Sequence, residues 1–386
     1  MTPTRRMRVV LVCEAAGGGV GKHVLDVAER LPSRGFDVLV VHCTRRAEPE
    51  FADRLSMHAA YGYRVAQVDV DRAPGPRDMM GVMQLRRAVR EFGGADVLHG
   101  HSAKGGALAR LARWRCARRV FYTPHAFYAQ APSLSATSRR IYGLAEQALS
   151  FATDRVIATS HDELGLARRL GIPARKLTVV ENGITVRGDG DLTRARIAAR
   201  AALGIGFDER VVGFVARLVP QKAPVLAVDV LQRVRRTHPR TRFVLVGDGP
   251  EAPLVEDALR SARLADNVTW LRRAVGGEVL PAFDVLLVTS HYEGFPYVML
   301  EALDAGCAIV STAVGGARDC VAPGRNGAIV APATADALAS AIAPFLESAD
   351  RRRVAHEVSR DRAREFEIGR MVDRLVTLYR DAAHAA

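Results

Sequence analysis

Two glutamates eight residues apart, Glu293 and Glu301, sit in the run 285–311, VLLVTSHYEGFPYVMLEALDAGCAIVS. The run reads as a buried strand (Val285 to Thr289), a tight turn, a helix and a second strand (Ala308 to Thr312). Glu293 lies in the turn and Glu301 inside the helix, so the turn aims one carboxylate at one part of a ligand and the helix aims the other elsewhere. Gly294 lets backbone approach closely, and Pro296 suits a first helical position. Open α/β sheets bind ligands at this end of their strands. Taken alone, the pair also fits a solvated acidic helix start. What raises it is the apolar strand on either side, which leaves the loop tip as the natural site.

Cations complete the set. A strand at Val211 to Ala216 delivers Arg217, with Lys222 five residues on at the start of a helix. Arg as a fork and Lys as a point charge suit a diphosphate. Gly247-Asp248-Gly249-Pro250 ends the next strand as a turn, and Gly315-Gly316 follows strand Ala308 to Thr312 with further free backbone N–H groups. In the first half, Gly17-Gly18-Gly19-Val20-Gly21-Lys22 follows strand one and opens a helix, which turns backbone N–H groups toward a phosphate or a sugar. A Walker A motif is excluded, because Ala16 and His23 stand where Gly and Ser or Thr are required. A dinucleotide fingerprint fails at Lys22 and lacks the acid after strand two, where Val41-His42-Cys43-Thr44 stands. Two Asp-x-Asp pairs, Asp69/Asp71 and Asp189/Asp191, read as solvated loop acids. His99-Gly-His101 has no third ligand nearby in sequence and reads as a strand-end turn, so no metal site is expected.

The elements that must position these residues alternate strand and helix along the chain, from Met7 to Cys13 and Val20 to Ser33 onward. A fresh series starts at Val211, with helix Lys222 to Arg236, strand Thr241 to Gly247 and helix Glu251 to Ala262. Such alternation predicts parallel sheets with right-handed crossovers. At 386 residues the chain exceeds one ordinary core, and 48% hydrophobic with 25% charged residues is a globular composition. The expected division is 1–185, a polar Gly-rich hinge at 186–206, 207–366, and a C-terminal helix at 367–386 packing back on the first domain. No apolar run approaches the roughly 20 residues of a membrane span, and no signal-peptide core follows Arg5 and Arg6, so a cytoplasmic protein is expected. Cys13, Cys43, Cys116, Cys307 and Cys320 lack any CxxC pairing and read as buried reduced thiols.

The net charge of +13 is unevenly shared: residues 1–185 hold 28 Lys+Arg against 17 Asp+Glu. The densest part, Lys104 to Arg119 (KGGALARLARWRCARR), interleaves Leu108, Leu111, Ala112 and Trp114 with basic residues. It reads either as a surface for anionic lipid, making the protein peripheral on the inner membrane face, or as a solvated basic face. Nucleic acid is not expected, since no binding module accompanies the charge.

In this order, Arg217-Leu218, Lys222, Gly247-Asp248-Gly249-Pro250, Glu293-Gly294-Phe295 to Glu301 and Gly315-Gly316 resemble the C-terminal domain of retaining glycosyltransferases of family 4, the glycosyl transferases group 1. The glycine loop, Thr123-Pro124-His125 and Asn182-Gly183-Ile184 extend the resemblance over almost the whole chain. It implies a GT-B fold, two doubly wound Rossmann-like domains facing across a cleft, and a metal-independent hexosyltransferase. Arg217 and Lys222 would bind the diphosphate of a UDP- or GDP-linked sugar, Glu301 its ribose hydroxyls and Glu293 the transferred sugar. His125 would reach the reacting sugar, Gly18 and Gly19 would line the donor or acceptor face, and Gly294, Phe295, Gly315 and Gly316 would also meet the donor. Ala216 and Ala223 replace glycines usual in the family, Thr185 replaces an Asp, and Leu271-Arg272-Arg273 lacks the glycine usual near the base.

The resemblance implies retention, with leaving-group charge stabilised by Arg217 and Lys222 and no cofactor beyond the nucleotide sugar. The acceptor expected is a glycan or a polyprenyl-diphosphate-linked chain of the cell envelope. A nucleotide-sugar 2-epimerase, or a non-catalytic nucleotide-sugar sensor, keeps the same fold. Loop Ala126 to Ser138 is expected to help choose the substrate.

Overall fold

A computed structural model describes residues 5–71, 73–131, 134–274 and 276–384. The chain forms two compact units, Met1–Asn182 with Ile368–Ala386, and Gly183–Glu367.

The first unit is built on seven parallel strands, β1 (Met7–Cys13), β2 (Phe36–Cys43), β3 (Arg64–Val68), β4 (Ala95–His101), β5 (Ala117–Thr123), β6 (Arg155–Ala158) and β7 (Leu177–Val179), in the order β3-β2-β1-β4-β5-β6-β7. Side chains alternate across a strand. Val9 and Leu11 therefore pack with helix Gly18–Arg30 and the last helix, Ile368–His384, while Val10 and Val12 pack with helices Arg77–Glu91 and Ser102–Ala112. The register Val9↔Val38 and Val9↔Val97 places β1 between β2 and β4.

The second unit repeats the logic with β8 (Val211–Val215), β9 (Arg242–Val246), β10 (Val268–Leu271), β11 (Val285–Val288), β12 (Ala308–Thr312) and β13 (Gly327–Val330), ordered β10-β9-β8-β11-β12-β13. Leu286 and Ile309 face helix Tyr297–Asp304; Val212, Leu287 and Val310 face helices Pro224–Thr237 and Ala335–Glu347. Within β8, Gly213 is required by packing: a Cβ there would meet the Phe283 ring at 1.9 Å.

Segment 186–206 is not a hinge. It carries helix Asp189–Ala202 of the second unit, and the chain crosses between units at 182/183 and 367/368. The helix escapes an apolar-periodicity reading because it docks largely through ions. Arg196 and Arg200 reach the buried Asp284 at 2.9 and 3.1 Å, and Arg187 and Arg360 reach Asp304 at 2.8 and 2.6 Å. The last helix belongs to the first unit, where Met371, Leu375 and Tyr379 are buried in its core.

The basic stretch 104–119 is a solvated basic face only in part: Arg115 and Arg118 are exposed, while its other basic residues are buried or paired with carboxylates. Arg110 is buried, bonded to Glu146 at 2.7 Å with its guanidinium 3.9 Å from the Tyr122 ring centroid. Lys104 pairs with Asp78 at 2.7 Å, and Arg113 and Arg119 pair with Asp154 at 3.3 and 3.5 Å. Leu108 and Ala112 are core, which leaves Leu111 and Trp114 as the exposed apolar groups of the stretch. All five cysteines are buried and unpaired, and burial pushes the Cys307 thiol up to about 12. Among the described residues, no helix is long and apolar enough to cross a membrane.

Candidate active site

In each sheet the strand order reverses at one point, β1/β4 in the first and β8/β11 in the second. Crevices at such switch points, beyond the carboxyl ends of the strands, are where doubly wound sheets bind ligands.

In the second unit, Arg217 follows β8 and Glu293 follows β11, so the sequence pairs converge on the switch point. Leu218 N donates to Asp248 O at 2.9 Å and Glu251 N to Leu218 O at 3.0 Å, tying the Arg217 turn to the Gly247–Pro250 loop. Gly249 has no alternative there, because a Cβ would lie 2.4 Å from Leu218 O. Lys222 is not at a helix start as its sequence context suggests. It ends a short 3-10 turn, Pro220–Lys222, and the helix begins at Pro224 after Ala223 in left-handed backbone (φ +45). Thr289 Oγ1 clamps that turn by donating to Lys222 O and Ala223 O at 2.8 and 3.0 Å.

Lys222 Nζ forms an ion pair with Glu293 Oε1. Gln221 Nε2 donates to Tyr292 O at 2.9 Å and approaches Glu293 Oε2 at 3.5 Å, while His291 N donates to Gln221 O at 2.8 Å. Loops from neighbouring strands are thereby stitched around one carboxylate that is only 8% exposed. Glu301 is half-buried in helix Tyr297–Asp304, its carboxylate beside Gly276, whose Cβ position lies 3.2 Å from Glu301 Oε2. Gly315 admits the Glu293 loop: a Cβ there would fall 2.5 and 2.6 Å from the carbonyl oxygens of Glu293 and Gly294. Gly316 (φ +78) similarly makes room for the Phe295 ring.

Phe295 does not point into the candidate site. Its side chain is buried edge-to-face against Phe366, centroids 5.3 Å apart, so the ring belongs to the core of the second unit. After β10, Arg272 stacks on Trp270 at 4.2 Å and pairs with Asp248 at 3.3 Å. A cavity of about 740 Å³ lined by Arg210, Arg235, Arg240 and Arg242 lies at the opposite, amino ends of β8 and β9 and includes none of the candidate residues.

In the first unit, Gly17 caps helix Gly18–Arg30 and Gly18 N donates to Glu48 Oε2 at 2.8 Å. The protein's own carboxylate therefore takes a place that the helix dipole favours for an anion. Gly18 and Gly19 are exposed beside it. His125 (φ +55) and Ala126 (φ +97) both adopt left-handed backbone, strained for residues with a Cβ. The turn is held by Glu163, 1% exposed, whose Oε1 accepts from Ala126 N at 2.7 Å and Oε2 from Thr159 N at 2.6 Å. Burial raises the Glu163 carboxyl above its ordinary range.

His101 and His125 meet at Nδ1···Nε2 3.1 Å. His99 is fixed between Tyr379 Oη at 2.7 Å and Thr123 Oγ1 at 2.8 Å, and His23 Nδ1 lies 3.0 Å from Asn182 Oδ1. Burial holds His99, His101 and His125 well below the usual imidazole range, with repulsion between neighbouring rings adding to it, and burial pushes His23 down to about 4. The premise that His99 and His101 lack a third imidazole is thus overturned: His23 and His125 join them. The signal was topological, since β1, β4 and β5 are sheet neighbours: β4 ends in His99 and His101, the turn after β5 carries His125, and the helix that follows β1 carries His23. Glu163 and Asn182 had no sequence signal beyond their adjacency to helix and link motifs.

The Asp-x-Asp pairs bind arginines. Asp69 pairs with Arg45, which holds its carboxyl below the ordinary range, Asp71 with Arg77 at 3.3 Å, Asp189 with Arg360 at 3.2 Å, and Asp191 with Arg194. Of the loop Ala126 to Ser138, residues 132–133 lie outside the described residues.

Residues 196–362 match the family described as glycosyl transferases group 1, and residues 18–183 match the glycosyl transferase 4-like domain. The chain is 31% identical to the D-inositol 3-phosphate glycosyltransferase of Geodermatophilus obscurus, over 95% of this chain and 85% of that protein. It is 30% identical to the protein of that name from Mycobacterium tuberculosis, over 95% and 79%. Among solved structures, Anabaena HepE in complex with UDP and glucose superposes with a TM-score of 0.80 at 21% identity, covering 97% of this chain and 100% of that one. Sucrose-phosphate synthase from Thermosynechococcus elongatus gives 0.82 at 22%, covering 99% and 100%. These likenesses identify the fold as GT-B.

Proposed function

The chain belongs to the glycosyl transferases group 1 family and is a glycosyltransferase, and from this premise we propose that it transfers a hexose, with retention, from a UDP-linked donor to an envelope glycan or a polyprenyl-diphosphate-linked acceptor. The observation that carries the reading is the Lys222–Glu293 ion pair beside Arg217 at the β8/β11 switch point. Arg217 and Lys222 are assigned the donor diphosphate, whose departing charge they stabilise as it develops. Glu293 is assigned hydroxyls of the transferred sugar, and Glu301 those of the ribose. When donor arrives, Lys222 exchanges one anion, Glu293, for another. Backbone of Gly294, Phe295, Gly315 and Gly316 frames the same ligand. In the first unit, His125 is assigned the reacting sugar, with Gly18 and Gly19 lining the donor or acceptor face. UDP is preferred over GDP as the donor base because the HepE structures hold UDP and UDP-glucose.

Calorimetry with UDP, GDP, ADP and NAD tests the assignment. UDP is expected to bind, and Glu301→Ala to weaken it by about 10- to 150-fold, the range of one or two hydrogen bonds to a charged group. Binding of NAD alone, or equal UDP affinity in the variant, would sink the reading.

A second acceptor class is favoured by the relatives' name, a small phosphorylated polyol. Product formation with inositol phosphate but not with lipid-linked glycan would select it.

For membrane contact, the proposed surface is the apolar edge formed by Met79 and Met83 on helix Arg77–Glu91 with Leu111 and Trp114 at the end of the packed helix Ser102–Ala112, Trp114 being 77% exposed. Replacing Leu111 and Trp114 together by Ala is expected to weaken binding to anionic vesicles about tenfold or more, since each buried CH₂ contributes roughly 0.8 kcal/mol. Unchanged sedimentation with vesicles would remove the membrane from the account.

A further inference from the structure

The cavity at the amino ends of β8 and β9, about 740 Å³, has the size of a small-molecule site and lies wholly in the second unit. Arg210, Arg235, Arg240 and Arg242 line it, against two carboxylates, Asp208 and Glu209. The register Val211↔Arg242 sets Arg210 beside the Arg240–Arg242 end of β9. Helix Pro224–Thr237 also ends at this cavity, and its C-terminal carbonyls draw positive charge. Arg235 is committed to that end, donating to Pro239 O just beyond the helix. Arg242 approaches Glu209 at 3.8 Å. Arg210, half-buried, and Arg240, exposed, make no ion pair and no side-chain hydrogen bond among the described residues. Two guanidinium groups in one cavity lining are thus left for a ligand.

The cavity wall is held from beneath. Arg200, 1% exposed, donates to Gly206 O at 2.6 Å and Glu209 O at 3.2 Å and pairs with Asp284 at 3.1 Å, while Arg242 N donates to Arg210 O at 2.8 Å. A wall already ordered lowers the cost of binding. Its field is positive. Burial, and then repulsion from Arg196, holds the Arg200 guanidinium below the usual arginine range; burial, and then repulsion from Arg210, does the same to Arg352. Asp284 is shared between Arg196 and Arg200, so the cations of this corner exceed the carboxylates that face them.

The rest of the lining selects among anions. Asp208 and Glu209 repel a plain polyanion but accept hydrogen bonds from hydroxyl groups, as Asn267 and Thr241 also do. No Phe, Tyr or Trp lines the cavity among the described residues, and the His238 ring is engaged by Thr237 at 2.8 Å and Glu347 at 3.1 Å, so a nucleotide base has no stacking platform. We infer that this cavity is a binding site for a phosphorylated sugar, with Arg210 and Arg240 taking the phosphate and Asp208, Glu209 and Asn267 the hydroxyls. The planar guanidinium fork matches a phosphate, and the acids that would exclude a polyanion serve the sugar. Arg210 precedes β8 and Arg217 follows it, so roughly 20 Å of chain separates this site from the candidate active site. The two sites share no residue.

Calorimetry on the full chain at low ionic strength tests the assignment, with glucose 1-phosphate, glucose 6-phosphate and fructose 1,6-bisphosphate as probes and glucose and inorganic phosphate as controls. At least one probe is expected to bind once per chain, about ten times more tightly than either control, and more weakly as salt is added. Arg210→Ala and Arg240→Ala should each weaken it about tenfold or more, the worth of a hydrogen bond to a charged group. Lys222→Ala should bind the probe as wild type does, which separates this cavity from the donor site. No probe binding above the controls, loss of binding in Lys222→Ala, or full affinity in Arg240→Ala overturns the inference. Arg240 is exposed, so its variant decides even where Arg210→Ala folds poorly.

Discussion

Lys222→Ala is expected to lower kcat/KM about 10³-fold, while weakening UDP binding far less. The β-phosphate gains negative charge as the glycosidic bond breaks, and a preorganised donor aimed at developing charge is worth about 10²–10³ in rate, or roughly 3–4 kcal/mol. Arg217 is assigned the same diphosphate, so part of the ground-state affinity is expected to survive. The same substitution strands Glu293, which is 8% exposed and bonds Lys222 as its cationic partner. Deleting one member of a fully buried pair costs about 3–5 kcal/mol. The Lys222 side chain retains 22% exposure, so about 1–3 kcal/mol of stability is expected here, close to the cost of one unsatisfied polar group. Adding Glu293→Gln to Lys222→Ala should restore most of that stability and none of the activity. Rates of donor turnover and denaturant midpoints on the two single variants and the double variant separate the effects. A Lys222→Ala enzyme within tenfold of wild type would mean that the leaving-group charge is stabilised elsewhere.

This pair also marks how far sequence reading reaches. The places of Arg217 and Glu293 at strand ends were legible because each comes soon after a continuous apolar strand, β8 and β11, and an apolar run followed by a polar residue is a one-dimensional signal. Strand alternation likewise foretold both parallel sheets, since period-2 burial on two faces requires apolar residues at every position, as in Val9 to Val12. Signals that need a third dimension were misread. Helix Asp189–Ala202 docks through Arg196 and Arg200 on Asp284, and ion pairs leave no apolar stripe. Arg110 looked like surface charge because its partner Glu146 lies 36 residues away. Phe295 sat inside a binding motif, yet Gly316 opens a slot that sends its ring into the core.

Glu163 belongs to the same class of hidden residue, and its removal is the second large effect expected. The turn at His125 and Ala126 is left-handed at both residues, a conformation that costs of order 1–3 kcal/mol per residue unless its surroundings enforce it. One carboxylate does so by accepting from Ala126 N and from Thr159 N and Oγ1. Glutamine offers one acceptor oxygen and turns an NH₂ toward a backbone N–H. Glu163→Gln should therefore leave one buried donor unsatisfied, at about 1–3 kcal/mol. Once the turn relaxes, His125 shifts, and if it meets the reacting sugar as proposed, a displacement of about 1 Å can cost 10²-fold in kcat. KM for the donor should change little, because the residues assigned to the diphosphate, Arg217 and Lys222, belong to the second unit. The pH dependence has a definite sign. Burial raises the folded-state pKa of Glu163 above its unfolded value, so the folded protein binds that proton more tightly. The stability this group contributes is present below the unfolded pKa and is lost as pH rises through the folded one. The gap in stability between wild type and Glu163→Gln should thus be widest near pH 4 and narrow as pH rises above the ordinary Glu pKa of about 4.3. A gap independent of pH, or a variant with unchanged kcat, would show that the strained turn is held by something other than this carboxylate.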